Sequence, residues 1–440
     1  GVPGFFVAAG MSLNGIAGAG GVGKVMAEWI IDGEPSLDLH EMNIRRFGAN
    51  YGNTDFVAEK AREVYHYYYH QHYPADETLW ARNHRRSPLY DRLAGLGAEF
   101  GEKNGWERVN FFRPGKPGRQ AADDQYQWGW GRAPYHDLIR EECLAARERV
   151  ALFDMTSFGK FEVSGPGALG LLQRVACNNI DRPIGSLVYT QFLNARGGIE
   201  SDLTVCRLAT DRFRVITGTS FLSNDLEWVR SHAPADGSVE IRDVTDDLAC
   251  IGMWGPDARD VLGQATGDDL SNDAFPYLTA RQLTVAGKPA WVQRVSYIGE
   301  LGWELYLANT DAGAVWDALL ELGQAHGIAN AGYLLMGIVA QSREGTVAIL
   351  YYLAGYLFTL VAAFMIINLV TREGEGEDIS CLAGLNKRSP FLAFALALCA
   401  VSLAGIPPLA GFFGKFYIFL PAIESGFYTL AVIGVLASVV

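Results

Sequence analysis

Residues 160–173, KFEVSGPGALGLLQ, and residues 250–265, CIGMWGPDARDVLGQA, decide how the body of this chain folds. Each runs from a strand-like stretch through Gly-Pro into a helix-like one. In the first, Phe161 and Val163 alternate with Lys160, Glu162 and Ser164, the two-residue period of a half-buried strand. Pro166 suits the opening turn of a helix, where its missing N–H would have no intrahelical acceptor anyway. About ninety residues on, the second copy repeats the order around Gly255-Pro256. Two copies of one strand-to-helix unit predict internal pseudo-symmetry in an α+β domain. Around them, HDLIREECLAARERVALF (136–153) reads as helical. DRFRVITGT (211–219) alternates Phe213, Val215 and Thr217 with polar neighbours, as a half-buried strand does.

Composition splits the chain in two. Its 440 residues carry a net charge of −13 and are 49% hydrophobic. Only 11 charged residues follow Gly332, while 74 precede it and leave that part near −12. So acidic a surface argues against nucleic-acid binding, which needs clustered cations to displace counterions. Thr346 to Val370 and Phe391 to Gly414 contain no charge at all. Each run is long enough to cross the roughly 30 Å hydrocarbon layer as a helix. The expected architecture is a soluble α+β part followed by all-α transmembrane helices. Six scattered cysteines show neither C-x-x-C nor zinc spacing and read as small apolar residues in a reducing compartment. No basic segment precedes an apolar one at the N-terminus, so no secretory signal is expected.

Ahead of the repeated unit, residues 4–31 read as strand, glycine-rich turn and helix, beginning within strand-like GFFVAAG as a truncated start would. Closely spaced glycines before a helix either let backbone N–H groups approach an anionic ligand or simply allow close packing. A Walker A loop is excluded, because Val25 follows Lys24 where Ser or Thr should meet magnesium. HYYYHQHYP (66–74) puts His66 and His70 at helical spacing with His72 nearby. No carboxylate or cysteine sits at a supporting interval, so no metal site is expected. Residues 115–134 are polar and rich in Gly and Pro, the composition of a loop or connection.

GWERVNFF (105–112), LFDMTSFGKFEVSGPGALGLLQ (152–173), YTQFLNARGGIESDLTV (189–205) and SYIGELGWELY (296–306) resemble the dimethylglycine/sarcosine dehydrogenase family. Such enzymes join an FAD amine-oxidase domain to a tetrahydrofolate-binding domain related to the glycine-cleavage T-protein. The resemblance implies a flavin-domain remnant over 1–34, a central connecting domain over 35–95 and a folate domain over 96–331. It also implies hydride transfer from a small-molecule N-methyl amine to FAD, leaving an iminium whose one-carbon unit is captured by tetrahydrofolate. Backbone at Gly10, Gly15, Ile16 and Gly20 would lie against FAD. The folate site would comprise Tyr189, Asp202, Tyr297 and Glu304, with Asp202 catalytic. A carboxylate there can polarise the attacking amine and steady a cation. On the residues alone, each tyrosine is equally a core aromatic, and Asp202, just after Gly197-Gly198, equally a turn residue. The family's dinucleotide-binding unit and the end of its folate domain are absent, so incomplete cofactor sites are expected.

Past Gly332, GYLLMGIVAQSREGTVAILYYLAGYLF (332–358), GEGEDISCLAGLNKRSPFLAFALALCAVSLAGIPPLAGFFGKFYIFL (374–420) and GFYTLAVIGVLASVV (426–440) resemble NADH-quinone oxidoreductase subunit N. That is a proton-translocating subunit of respiratory complex I, so quinone enters only through this likeness. Pro407-Pro408 breaks a span, and Lys415 beyond it matches a proton-pathway lysine or snorkels to the headgroups. The implied partners are a lipid bilayer and complex I membrane subunits. The implied location is a bacterial inner membrane, with the body in the cytoplasm. Switching at Gly332-Tyr333 without a linker reads as a joining of two gene fragments, in which neither activity need survive.

Overall fold

The computed structural model describes residues 4–11, 14–70, 77–116, 118–120, 132–133, 135–332, 365–367, 370 and 384–404. It divides into two compact units, Gly1–Gly337 and Ile338–Val440.

In the first unit, α1 (Gly15–Asp32) and α2 (Thr54–Tyr67) lead through α3 (Tyr90–Gly95) into a small sheet. That sheet holds β1 (Ala98–Lys103), β2 (Trp106–Phe112) and β3 (Arg119–Gln120), in the order β2-β1-β3. After α4 (His136–Glu148) come β4 (Ala151–Asp154), β5 (Gly159–Ser164), α5 (Ala168–Val175), β6 (Leu187–Leu193), β7 (Ile199–Ala209), β8 (Arg212–Thr217), α6 (Leu222–His232) and β9 (Glu240–Asp243). The chain continues through β10 (Leu248–Trp254), α7 (Ala258–Thr266), β11 (Thr279–Val285), β12 (Lys288–Arg294), β13 (Gly302–Ala308), α8 (Asn309–Gly323) and β14 (Ala329–Asn330). Two main sheets result, one ordered β6-β7-β8-β5-β9 and the other β11-β12-β13-β10-β4-β14.

The repeated unit places one copy in each sheet: β5 into α5, and β10 into α7. Its glycines explain why the motif reads so clearly. Gly165 has φ +108° and a Cβ there would meet the Ser238 carbonyl oxygen at 2.4 Å; Gly255 has φ +141° and would meet that of Arg149 at 2.3 Å. Any other residue would be strained and blocked at both corners. Pro166 and Pro256 precede the first helical residue by two positions, so each helix starts slightly later than the sequence suggests.

Each sheet has one apolar and one polar face. Phe161, Val163, Leu203, Val205, Phe213 and Val215 form a core with α5 and α6. Ile251, Met253, Val292, Trp303 and Leu305 do the same with α7 and α8. The opposite faces meet each other: the Trp291 indole N–H donates to Cys206 Sγ at 3.4 Å, and the Arg214 guanidinium lies 5.6 Å over the Tyr306 ring. Because side chains alternate along a strand, the polar residues of both halves must converge between the sheets.

Several expectations change. The helix expected over 136–153 ends at Glu148, and residues 151–154 pair as a strand with β10. Strand β8 is buried on both faces, not half-buried, because Arg214 is neutralised inside by Glu162 at 2.8 Å. Gly4–Gly10 forms no strand, for no neighbouring strand lies beside it among the described residues. Asp202 lies on β7 instead of in the turn after Gly197-Gly198.

The body stays tied to its fold up to the seam: Ala331 N–H donates to the Leu152 carbonyl at 2.9 Å, and Gly332 N–H to Glu142 Oε2 at 3.0 Å. In the second unit, helix Pro390–Ala404 and helix Leu385–Arg388 are described, with Ile366, Val370 and Leu385 buried together. Among the described residues no helix is long and apolar enough to cross a membrane. Most of the two uncharged runs, Pro407-Pro408 and Lys415 lie outside the described residues.

Candidate functional site

Strand pairing builds the first half of the site. Tyr189 sits opposite Thr204, and Gln191 opposite Asp202, so Tyr189 and Asp202 share the inward face of the five-stranded sheet. A side-chain hydrogen bond to the Asp202 carboxylate holds the Tyr189 phenol above its ordinary pKa. Asp202 itself is exposed to solvent.

The second half comes from the other sheet. Glu304, on β13, faces inward beside Gln293 and Gly252. It is only 8% exposed, and burial pushes its carboxyl up to about 7, although the Tyr306 hydroxyl donates to Oε2 at 2.7 Å. Tyr297 lies in the loop between β12 and β13, its ring 5.7 Å from that of Phe158 in an edge-on contact.

One cavity of about 1930 Å³ is lined by Tyr189, Asp202, Tyr297 and Glu304 together. All four residues assigned through the folate-family resemblance are therefore neighbours of a single space, although they lie on two sheets and span more than a hundred positions of sequence. A space this large takes a ligand well beyond the size of an N-methyl amine. It fits a pterin-bearing cofactor chemically: two aromatic rings can flank a flat ring system, and a buried carboxyl can pair with a donor edge.

The sequence reading missed the groups behind this wall. Lys160 is fully buried; its Nζ donates to the carbonyls of Thr156 at 2.8 Å and Phe158 at 2.9 Å. Burial pushes its ammonium down to about 8 despite the opposing pull of Cys250 and Asp154. It fastens the turn that carries Phe158, and its charge draws the Glu304 carboxyl down against the effect of burial. A lysine on the polar side of an alternating strand looks solvent-facing, so only the second sheet's coverage reveals it. Asp225 lies behind Thr217, whose hydroxyl donates to Oδ2 at 2.5 Å; burial raises this carboxyl to about 6.

The residues assigned to FAD are placed differently. Gly10, Gly15, Ile16 and Gly20 are exposed and none lines the cavity, while α1 has no buried residue. A Cβ at Gly10 or Gly20 would meet nothing within 4 Å, so these glycines form no cradle among the described residues. His66 and His70 are joined by a hydrogen bond from the His70 ring to the His66 carbonyl at 3.1 Å, and among the described residues they belong to no cluster of metal-ligand atoms; His72 lies outside the described residues. Asp257, Asp260 and His326 bring ligand atoms within 4.8 Å of one another away from the cavity.

Comparison with known proteins gives three family matches along the chain. The GCVT N-terminal domain matches residues 89–339, the FAD dependent oxidoreductase central domain residues 32–87, and the NADH:quinone oxidoreductase/Mrp antiporter transmembrane family residues 327–440. The first and third overlap across the seam at Gly332-Tyr333. The chain is 41% identical over 328 residues to 4-methylaminobutanoate oxidase (formaldehyde-forming) of Paenarthrobacter nicotinovorans, covering 74% of this chain and 39% of that protein. It is 36% identical to mitochondrial sarcosine dehydrogenase of Homo sapiens, covering 75% and 40%. It is also 34% identical to the mitochondrial pyruvate dehydrogenase phosphatase regulatory subunit of Mus musculus, covering 76% and 38%. The chain thus spans about two fifths of the length of these relatives. Likeness of the same order reaches oxidoreductases and a regulatory subunit, so the site must choose between them.

Proposed function

Because the chain belongs to the GCVT N-terminal domain family, followed by a segment of the complex I and Mrp antiporter family, we propose that its soluble part is the folate half of an N-methyl amine demethylase. The reading rests on one observation: Tyr189, Asp202, Tyr297 and Glu304 line a single cavity between the polar faces of two sheets. A regulatory module has no need to keep a solvated carboxylate and a buried one on opposite walls of one space.

Tetrahydrofolate, when bound, supplies the amines that take up a one-carbon unit. Tyr189 and Tyr297 would flank its ring, and Glu304 would accept from its donor edge. Asp202 would attract the iminium left by oxidation of a dimethylglycine- or sarcosine-type amine, take the proton that the folate amine gives up on bonding the one-carbon unit, and return it to the demethylated amine as that amine leaves. The exposed glycines of 10–20 do not by themselves make a flavin site. The oxidation belongs to an FAD-bearing part such as the one the central-domain match at 32–87 accompanies.

Fluorescence titration of the purified chain with tetrahydrofolate tests this. Saturable quenching of tryptophan emission that is lost in Tyr189→Ala/Tyr297→Ala is the expected outcome. Absence of any saturable binding by the wild-type chain would leave the folate reading without support.

A second reading covers residues 332–440 and is favoured by their own family match. We propose that this segment holds the chain at a membrane, with Lys415 as its proton-pathway residue, and that the join brings together two gene fragments. Recovery of the full-length chain only in the soluble fraction would reject the membrane reading, and absence of any peptide spanning residues 325–340 would show that the joined chain is not a natural product.

A further inference from the structure

The cavity extends away from the four site residues along one face of α6. Asn224, Trp228, Ser231 and His232 line it. Their spacing of four, seven and eight residues puts them on one helical stripe. At 1.5 Å per residue that stripe runs for about 12 Å. It begins beside Thr217 and Phe221, which line the same cavity close to the end of β8, next to the strand that carries Asp202.

At the far end a different part of the chain closes the wall. Asn43 caps the 3-10 turn Ile44–Arg46, its side chain accepting from the Arg45 N–H at 3.0 Å, and this turn packs on α6. The Arg45 guanidinium lies 5.7 Å over the Trp228 ring, and the His232 ring is 4.6 Å from the same indole. Arg45 has no carboxylate partner among the described residues, while Arg196, the other arginine lining the cavity, is neutralised by Glu34 at 2.9 Å. Acids line the cavity both on the strands, at Glu200, Asp202 and Glu304, and on the segment that carries Arg45, at Asp32, Glu34, Asp38 and Glu41.

We propose that Arg45 and Trp228 form a subsite for the carboxylate-bearing aromatic tail of tetrahydrofolate. This deepens the folate reading and rests on it. Tetrahydrofolate carries in line a pterin, a p-aminobenzoyl ring and a glutamate, so it presents amines at one end and carboxylates at the other. The pterin lies among Tyr189, Asp202, Tyr297 and Glu304. The benzoyl ring follows the α6 stripe to Trp228. The glutamate carboxylate meets the planar fork of Arg45, the side-chain geometry best matched to it. Residues 44–46 belong to the segment ahead of the folate domain, which would make that connecting segment a determinant of cofactor choice.

Two ligands separate this proposal from the reading beneath it. Tetrahydrofolate monoglutamate has the tail, whereas 6-methyltetrahydropterin has only the ring. Calorimetric titration of the full chain should show that Arg45→Met weakens tetrahydrofolate about tenfold, the usual scale for loss of one charge-assisted contact. The same variant should leave 6-methyltetrahydropterin unchanged, and Arg45→Lys should restore part of the tetrahydrofolate affinity. Equal weakening of both ligands, or of neither, overturns the subsite while leaving the folate reading intact. A wild-type chain that binds neither ligand rejects the folate reading and the subsite with it.

Discussion

Each half of the body contributes one tyrosine and one acid to the cavity, and the two acids are treated differently. Tyr189 and Tyr297 are equally exposed, at 56% each. Their acids are not alike. Asp202 sits on β7, next to the edge of its sheet, with its carboxylate in solvent. Glu304 sits on β13, between β12 and β10, and is covered. Place within the sheet, more than residue type, decides which acid is solvated. The two halves thus supply one solvated carboxylate and one buried carboxyl that burial has pushed up to about 7.

The strongest way to break this contrast is to neutralise each acid in turn. Asp202→Asn keeps shape and hydrogen bonding but removes the charge and the proton acceptor. We expect the rate of one-carbon capture by tetrahydrofolate from a formaldehyde-derived iminium to fall about 10³-fold, within the usual range for a general base. Tetrahydrofolate affinity should change by less than about threefold, since Asp202 is assigned to the reaction and not to ring recognition. Glu304→Gln should show the opposite split, with affinity falling more than rate. Identical profiles for the two variants would mean that the halves are not specialised.

Glu304 also makes a prediction about stability. Its folded pKa, about 7, lies above the ordinary value of 4.5. The folded state therefore prefers the protonated form. The stabilisation is complete below about pH 4.5 and is lost as pH rises through about 7. Glu304→Gln cannot titrate, so urea denaturation should show the variant gaining on the wild type across that window. The relative gain should be on the order of 3 kcal/mol by linkage. A constant difference between pH 5 and pH 8 would show that Glu304 is hydrated, and the contrast with Asp202 would disappear.

How much of this was legible follows the same line. The repeat was readable because Gly165 and Gly255 are required by positive φ and by a carbonyl standing where a Cβ would go. Backbone demands of that kind leave a mark on sequence. Burial by a distant sheet leaves none. The alternation of β8 and β5 correctly gave strands, yet Lys160 and Arg214 look like solvent-facing residues until the second sheet is set against them. The four site residues were named only through resemblance to a family, because nothing local links Tyr189 to Tyr297. The glycine pair before Asp202 does form a turn, but strand pairing resumes at Ile199, three residues ahead of the carboxylate. The uncharged runs at 346–370 and 391–414 read as membrane-spanning from composition alone, and Lys415 lies outside the described residues.

The smallest expected effect concerns what holds Asp202 in place. Gln191 stands directly across from it on β6, with Nε2 3.4 Å from Oδ1 and Oε1 3.4 Å from the Cys177 thiol. Both contacts are long, and long hydrogen bonds between partly exposed groups contribute little. If the carboxylate is chiefly solvated, water replaces the amide. Gln191→Leu should then lower the capture rate by less than about threefold, well inside the effect of one good hydrogen bond, and leave tetrahydrofolate affinity unchanged. If Gln191→Leu matched Asp202→Asn, the carboxylate would depend on a fixed neighbour. The exposed acid of the first half would then be as protein-bound as the buried acid of the second, and strand position would no longer explain their difference.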